Sequence, residues 1–279
     1  MARFGRSTVI GLVAALLGCS LLFVAAPSAR AGTSKCMGKR ATIIRGDGEK
    51  RLRGTPHDDV ILVARGRLTH VKARGGDDRI CDRGSSSRIQ GGAGRDRISA
   101  GDYDDTIYGG DGADIIKGGM GSRDGDNSFG GKGDDIIDER SQSGGRGLDV
   151  AHGEEGDDTI YWARYAQGGP GDDTIVGGGK TEVNYRTASQ GVVVDLDEGT
   201  ATGQGEDTFP DGGIIGVVGS SFDDELLGNV GGDYFSGLGG DDVIRGRNGH
   251  DKANGGAGTD QCEAEERRKC EVVLPPSSL

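Results

Sequence analysis

The apolar positions of this 279-residue chain fall on a nine-residue beat. Ile80, Ile89, Ile98, Ile107 and Ile116 are evenly spaced, and Ile137, Ile160, Ile175, Leu226, Phe235 and Ile244 continue the column. Each reads as the centre of a three-residue strand, its own side chain pointing inward and its neighbours outward. Self-similarity on this period marks a stack of repeats with a thin core. Two stretches depart from the beat. Residues 1–31 open with Arg3 and Arg6, run apolar from Val9 to Ala26 and close on Ala29-Arg30-Ala31, the layout of a cleavable export signal. Residues 186–218 contain GVVVDLDEGTATG, which alternates, is rich in β-branched residues and predicts a strand and hairpin.

The full unit emerges once the beat is set. GGAGRDRIS (Gly91 to Ser99) is followed in phase by AGDYDDTIY and GGDGADIIK, and the pattern returns in GGKGDDIID (Gly130 to Asp138), GGRGLDVAH, GEEGDDTIY and GGPGDDTIV (Gly168 to Val176). Contiguous units then fill Gly219 to Glu263. Weaker ones, GTPHDDVIL, ARGGDDRIC and DRGSSSRIQ, extend the array backward. Glycine at the first, second and fourth places permits tight backbone curvature. Aspartate at the sixth offers hard oxygen of the kind that calcium takes in sets of about 6–8. A flexible acidic linker has no reason to place Ile, Leu or Phe two residues after its Asp each time.

These units match GGxGxDxUx, with U a large apolar residue. Over most of residues 45–263 the chain resembles the haemolysin-type calcium-binding repeat family, the RTX nonapeptide. The resemblance implies an all-β fold: a parallel β-roll, or β-solenoid, of nonapeptide repeats with a β-hairpin insertion. Two nonapeptides would make one coil, with calcium between loops stacked along the edges. Coils then lie 18 residues apart, a spacing kept by Asp78, Asp96 and Asp114, by Asp224, Asp242 and Asp260, and by Asp233 with Asp251. The implied metal ligands are Asp59, Asp78, Asp96, Asp105, Asp114, Asp135, Asp149, Asp158, Asp173, Asp224, Asp233, Asp242, Asp251 and Asp260. They would hold several calcium ions, on the order of 6–10.

The organisation expected is an export signal at 1–31, an N-terminal cap at 32–44, a first array at 45–185, a β-rich connector at 186–218, a second array at 219–263 and a C-terminal disulfide cap and tail at 264–279. Some units lose the carboxylate. Lys50, Thr69 and Ser87 stand in the Asp slot, and those edges are expected to be metal-free. GGMGSRDGDNSF (Gly118 to Phe129) carries extra residues, which leaves the role of Asp126 open. ERSQS (Glu139 to Ser143) and WARYAQ (Trp162 to Gln167) read as interruptions, Trp162 as an edge cover. EAEERRK, between Cys262 and Cys270, reads as a short capping turn or helix, and VVLPPSSL as a loose tail.

Composition narrows the function. The chain has 56 Gly and only 33% hydrophobic residues, too few for a conventional thick core. A net charge of −12 argues against nucleic acid as a partner. The four cysteines beyond the signal, Cys36, Cys81, Cys262 and Cys270, suit disulfides in an exported chain, with local pairing favoured among three connectivities. His57, His70, His152 and His250 all lie inside repeats, and neither HExxH nor GxSxG occurs. Asp195 and Asp197 alternate along the predicted strand without a partner base and read as solvated. Arg45-Gly46-Asp47 is a chance tripeptide in so Gly- and Asp-rich a chain. No segment outside the repeats is large enough for a catalytic domain. The reading is a secreted, extracellular, non-catalytic calcium-binding protein that folds on binding calcium. One alternative is an adhesive or matrix module facing extracellular polysaccharide or a cell surface, and a more distant one a polysaccharide-acting enzyme.

Overall fold

The computed structural model describes residues 35–45, 50–63, 69–84, 86–119, 125–140 and 148–274. The expected export signal, most of the Arg45-Gly46-Asp47 tripeptide and the last five residues lie outside them. All regular structure among the described residues is strand. Short strands alternate between two walls, one of 12 strands and one of 15, wound as a β-solenoid of about 11 turns. Neighbours within a wall run parallel and in register through the repeats: Ile89 lies beside Ile107 in the shorter wall, and Ile98 beside Ile116 in the longer one. Stacking is what a repeat on this period requires, because a three-residue strand satisfies its backbone only against the coils before and after it.

The core is the space between the walls. Ile61, Ile80, Ile98, Ile116, Ile137, Ile160, Ile175, Leu226 and Ile244 line it from the longer wall, all essentially inaccessible to solvent. The shorter wall contributes Val71, Ile89 and Ile107, then the smaller Ser128, Ala151 and Ala166, then Val183, Val217 and Phe235. Outside the shorter wall, in-register pairing stacks Tyr108 on Phe129 and Phe129 on His152, with ring centroids 4.9 and 4.8 Å apart.

The connector supplies one strand to the shorter wall and three to the longer. The shorter wall passes directly from Thr181–Asn184 to Ile214–Val218, which pair in parallel. In the longer wall Thr174–Val176 is followed by Glu206–Thr208, then by Thr200–Thr202 and Val193–Asp195 as antiparallel partners, and only then by Glu225–Leu227. The predicted hairpin is present, and a third strand joins it to the roll. Asp195 is not solvated. It is buried and takes both guanidinium nitrogens of Arg247 at 2.7 Å, so its partner is a cation from two coils on rather than a second carboxylate. Asp197 lies in the turn past the strand end, its amide donating to Asp195 Oδ1 at 3.0 Å.

The ends also differ from expectation. EAEERRK forms neither a helix nor an isolated turn: Glu266–Arg268 is a strand of the shorter wall and Val272–Val273 one of the longer, so the coil continues past Glu263. Cysteines pair locally, Cys36 with Cys81 and Cys262 with Cys270. Trp162 is half exposed at the edge and lies over Gly178.

Candidate metal-binding edges

Each coil turns twice, and each turn is a loop whose shape depends on glycine. In the loop Gly109 to Asp114, Gly110 has φ +125°, where an L side chain is strained, and a Cβ there would run into the Gly92 carbonyl of the preceding coil. A Cβ on Gly109 would meet the Asp114 carboxylate and the Gly130 carbonyl oxygen of the following coil. The bare Gly109 position is therefore a cradle into which a carboxylate and a backbone carbonyl both point. The same juxtaposition recurs at Gly91, Gly130, Gly153, Gly237 and Gly255.

The sixth-place aspartates form two columns. Along the loops that lead into the longer wall, the amide of each Asp donates to Oδ1 of the Asp one coil later. Asp59 is capped by Asp78 at 2.7 Å, Asp78 by Asp96 at 2.8 Å, Asp96 by Asp114 at 2.8 Å, Asp114 by Asp135 at 2.7 Å, and Asp135 by Asp158 at 2.8 Å. Asp158 is then capped by Asp173 at 2.8 Å, and beyond the connector Asp224 by Asp242 at 2.9 Å and Asp242 by Asp260 at 3.0 Å. The opposite edge repeats the device: Asp105 carries the Ser87 amide at 2.6 Å, Asp149 the Asp126 amide at 3.0 Å, and Asp251 the Asp233 amide at 2.9 Å.

One oxygen of most of these carboxylates is thereby used and the other is not. Oδ2 of Asp78, Asp96, Asp105, Asp114, Asp135, Asp158, Asp173, Asp242, Asp251 and Asp260 is buried without a hydrogen-bond partner. Burial raises the proton affinity of Asp78, Asp96, Asp105, Asp114, Asp135, Asp158, Asp173, Asp242 and Asp251, with neighbouring carboxylates adding to it. The carboxyls of Asp96, Asp114, Asp135, Asp173 and Asp242 are pushed up to about 7, Asp158 to about 8 and Asp105 to about 9. A row of buried, unpartnered anionic oxygens is costly unless a cation or a proton neutralises it. The donors are all oxygen, the set hard divalent cations prefer, and the residues present fit calcium. Calcium would supply two positive charges to each slot; Asp Oδ2 atoms and the loop carbonyls at the Gly109-type cradles would hold it.

Not every expected residue presents a free oxygen. Asp59 Oδ2 accepts from the Thr55 amide at 2.7 Å, Asp224 Oδ2 from the Ser220 amide at 2.7 Å, and Asp233 Oδ2 from the Asn229 amide at 2.9 Å. Asp149 is only half-buried. Where Ser87 replaces Asp, its hydroxyl donates to Asp82, and no sixth-place carboxylate stands at this loop.

The structure also enlists acids that the repeat pattern passed over. Asp126 caps the Asp105 amide at 2.8 Å and leaves Oδ2 unpartnered; its signal is hidden because the residue two places on is Ser128 rather than a large apolar one. Asp207, in the connector, caps Asp173 at 3.1 Å and accepts the Tyr185 hydroxyl at 2.8 Å. Glu265 and Glu271 end the two columns, taking the Asp251 and Asp260 amides at 2.8 Å each. Phe209 and Val273, each two places after its acid, were the legible cue for Asp207 and Glu271. Glu139, at the start of ERSQS, turns its carboxylate into the core side of the edge, where burial lifts it to about 8.

Residues 90–124, 143–161, 165–179 and 227–262 match the RTX calcium-binding nonapeptide repeat. No curated protein matches the chain. Loop geometry, coil register and sequence agree, and the chain carries the RTX calcium-binding nonapeptide repeat in four copies along its β-solenoid.

Proposed function

We propose that this chain is a secreted, non-catalytic calcium-binding protein whose β-roll orders when calcium neutralises its edges outside the cell. The carrying observation is the column of buried Asp Oδ2 atoms that no protein group satisfies. Adjacent carboxylates one strand spacing apart, about 4.8 Å, repel by roughly 3 kcal/mol at an effective dielectric of about 20. A core of one large residue per nonapeptide is too thin to hold many such pairs together, so calcium binding and folding become one equilibrium. The ligand set proposed is the fourteen sixth-place aspartates, with Asp126 joining them, and the ions number on the order of 6–10. Residues 1–31 supply the export signal, and the two disulfides suit an oxidising compartment. Inside a cell, where calcium is scarce, the chain stays loose enough to export.

Circular dichroism of the mature chain tests this. An ordered β spectrum is expected in calcium at roughly 5 mM, above the affinities common to extracellular modules, and its loss in excess chelator. Identical spectra in the two conditions would overturn the reading. Calorimetric titration of the same sample counts the ions.

A further inference from the structure

One loop edge holds a group that the nonapeptide does not supply. On this edge the first place of the unit is uncharged in the neighbouring coils, at Ala100, Gly118 and Trp162, but Glu139 follows strand Ile136–Asp138 at the same place. Its backbone keeps the coil: the Glu139 amide donates to the Tyr161 carbonyl at 3.0 Å, as the Ala100 amide does to that of Lys117. Its side chain is 3% exposed, and neither carboxylate oxygen has a partner in hydrogen-bond geometry, although the Ser128 hydroxyl lies alongside. The side chain points between two members of the column, so that oxygens of Asp126, Glu139 and Asp149 all lie within 4.8 Å of one another. Asp126 Oδ1 and Asp149 Oδ1 are occupied by the amides of Asp105 and Asp126, at 2.8 and 3.0 Å, while Asp126 Oδ2 is buried and unpartnered. Gly118 keeps the space open: a Cβ there would strike Glu139 Oε2 and lie 2.8 Å from Asp126 Oδ2. Among the described residues, no Lys, Arg or His forms an ion pair with any of the three.

An ordinary slot brings two carboxylates together; this one brings three, two of them buried. Uncompensated, that arrangement is among the costliest in the molecule. The affinity of an oxygen site for hard cations rises with the number of charged ligands it presents. We propose that Asp126, Glu139 and Asp149 form a dedicated hard-cation site, tighter than the nonapeptide slots and filled before them. The proposal rests on the calcium reading of the array only for the identity of the ion. The site stands in a coil longer than the regular repeat: Asp126 and Asp149 are 23 residues apart instead of 18. It would pin a coil in which the regular spacing is lost.

Calcium titration calorimetry of the mature chain tests it, with Glu139→Gln, Glu139→Gly and Asp96→Asn beside the wild type. Two classes of site are expected in the wild type, the tighter holding one ion per chain. Both Glu139 variants should lose the tighter class, the first ion binding about tenfold or more weakly, while the weaker class remains. Asp96→Asn should reduce the weaker class and spare the tighter. Glu139→Gly restores the repeat's own residue and so guards against misfolding as the cause. A tighter class unchanged in Glu139→Gln, or a single class in the wild type, overturns the inference and leaves the array reading intact. Absence of any calcium binding in the wild type overturns both.

Discussion

Ile116 is fully enclosed, with Ile98 and Ile137 as its strand neighbours. A core one side chain thick cannot close over a lost group from a second layer, so Ile116→Ala should cost about 2–5 kcal/mol, measured by denaturant unfolding in calcium. Asp114 answers to different physics. Asp114→Asn keeps an oxygen for the Asp96 amide but removes the charge at Oδ2. The calcium midpoint for folding should therefore rise several-fold with little change in the β spectrum at saturation; an unmoved midpoint would exclude Asp114 as a ligand. Both residues were legible in the sequence because the two periods, two along a strand and nine along the chain, act on every unit alike. Asp195 was not legible. Its partner Arg247 is 52 residues away, and no local pattern announces a contact made by stacking.

Among the elements, the connector shows what local patterning can and cannot specify. Alternating β-branched residues announced Val193–Asp195 and its hairpin partner Thr200–Thr202. That Glu206–Thr208 would take the next berth beside Thr174–Val176 could not be foreseen, because a strand that short is chosen by the neighbour it completes. The paired Asp195 and Arg247 clamp the hairpin to the second array, and the guanidinium also donates to the Gly228 carbonyl at 2.8 Å. Arg247→Ala leaves a mostly buried carboxylate without its cation. Its expected cost is about 1–3 kcal/mol, since the pair is partly solvated. Limited proteolysis should then cut first within 195–205, and an unchanged cleavage pattern would show that the clamp is dispensable. The last coil was misread for a similar reason: EAEERRK lacks glycine pairs, yet Glu265 and Glu271 do the capping that Asp does elsewhere.

For the whole described roll, the raised carboxyl groups make stability depend on pH when calcium is absent. Asp96, Asp114 and Asp173 rise from near 3.8 to about 7, and Asp158 to about 8. Folding without metal therefore takes up protons. That contribution is fully present below about pH 4 and is lost as pH climbs through about 7. In chelator, the β spectrum should be strongest near pH 4 and fade toward pH 8; the opposite trend would mean that the columns are not the unstable part. Fold class and the two Asp columns were legible through the resemblance to the nonapeptide repeat, and the 18-residue spacing of the aspartates agreed with it. The slot at Glu139 was not, because it arises where the spacing fails.

Every cap in these columns points the same way: the side chain of a later coil satisfies the amide of an earlier one. A nascent roll emerging amino end first would always present one unsatisfied donor at its trailing rim, waiting for chain not yet delivered. Among the described residues Glu265 and Glu271 close the two series, so each column ends on a carboxylate that caps the last aspartate before it.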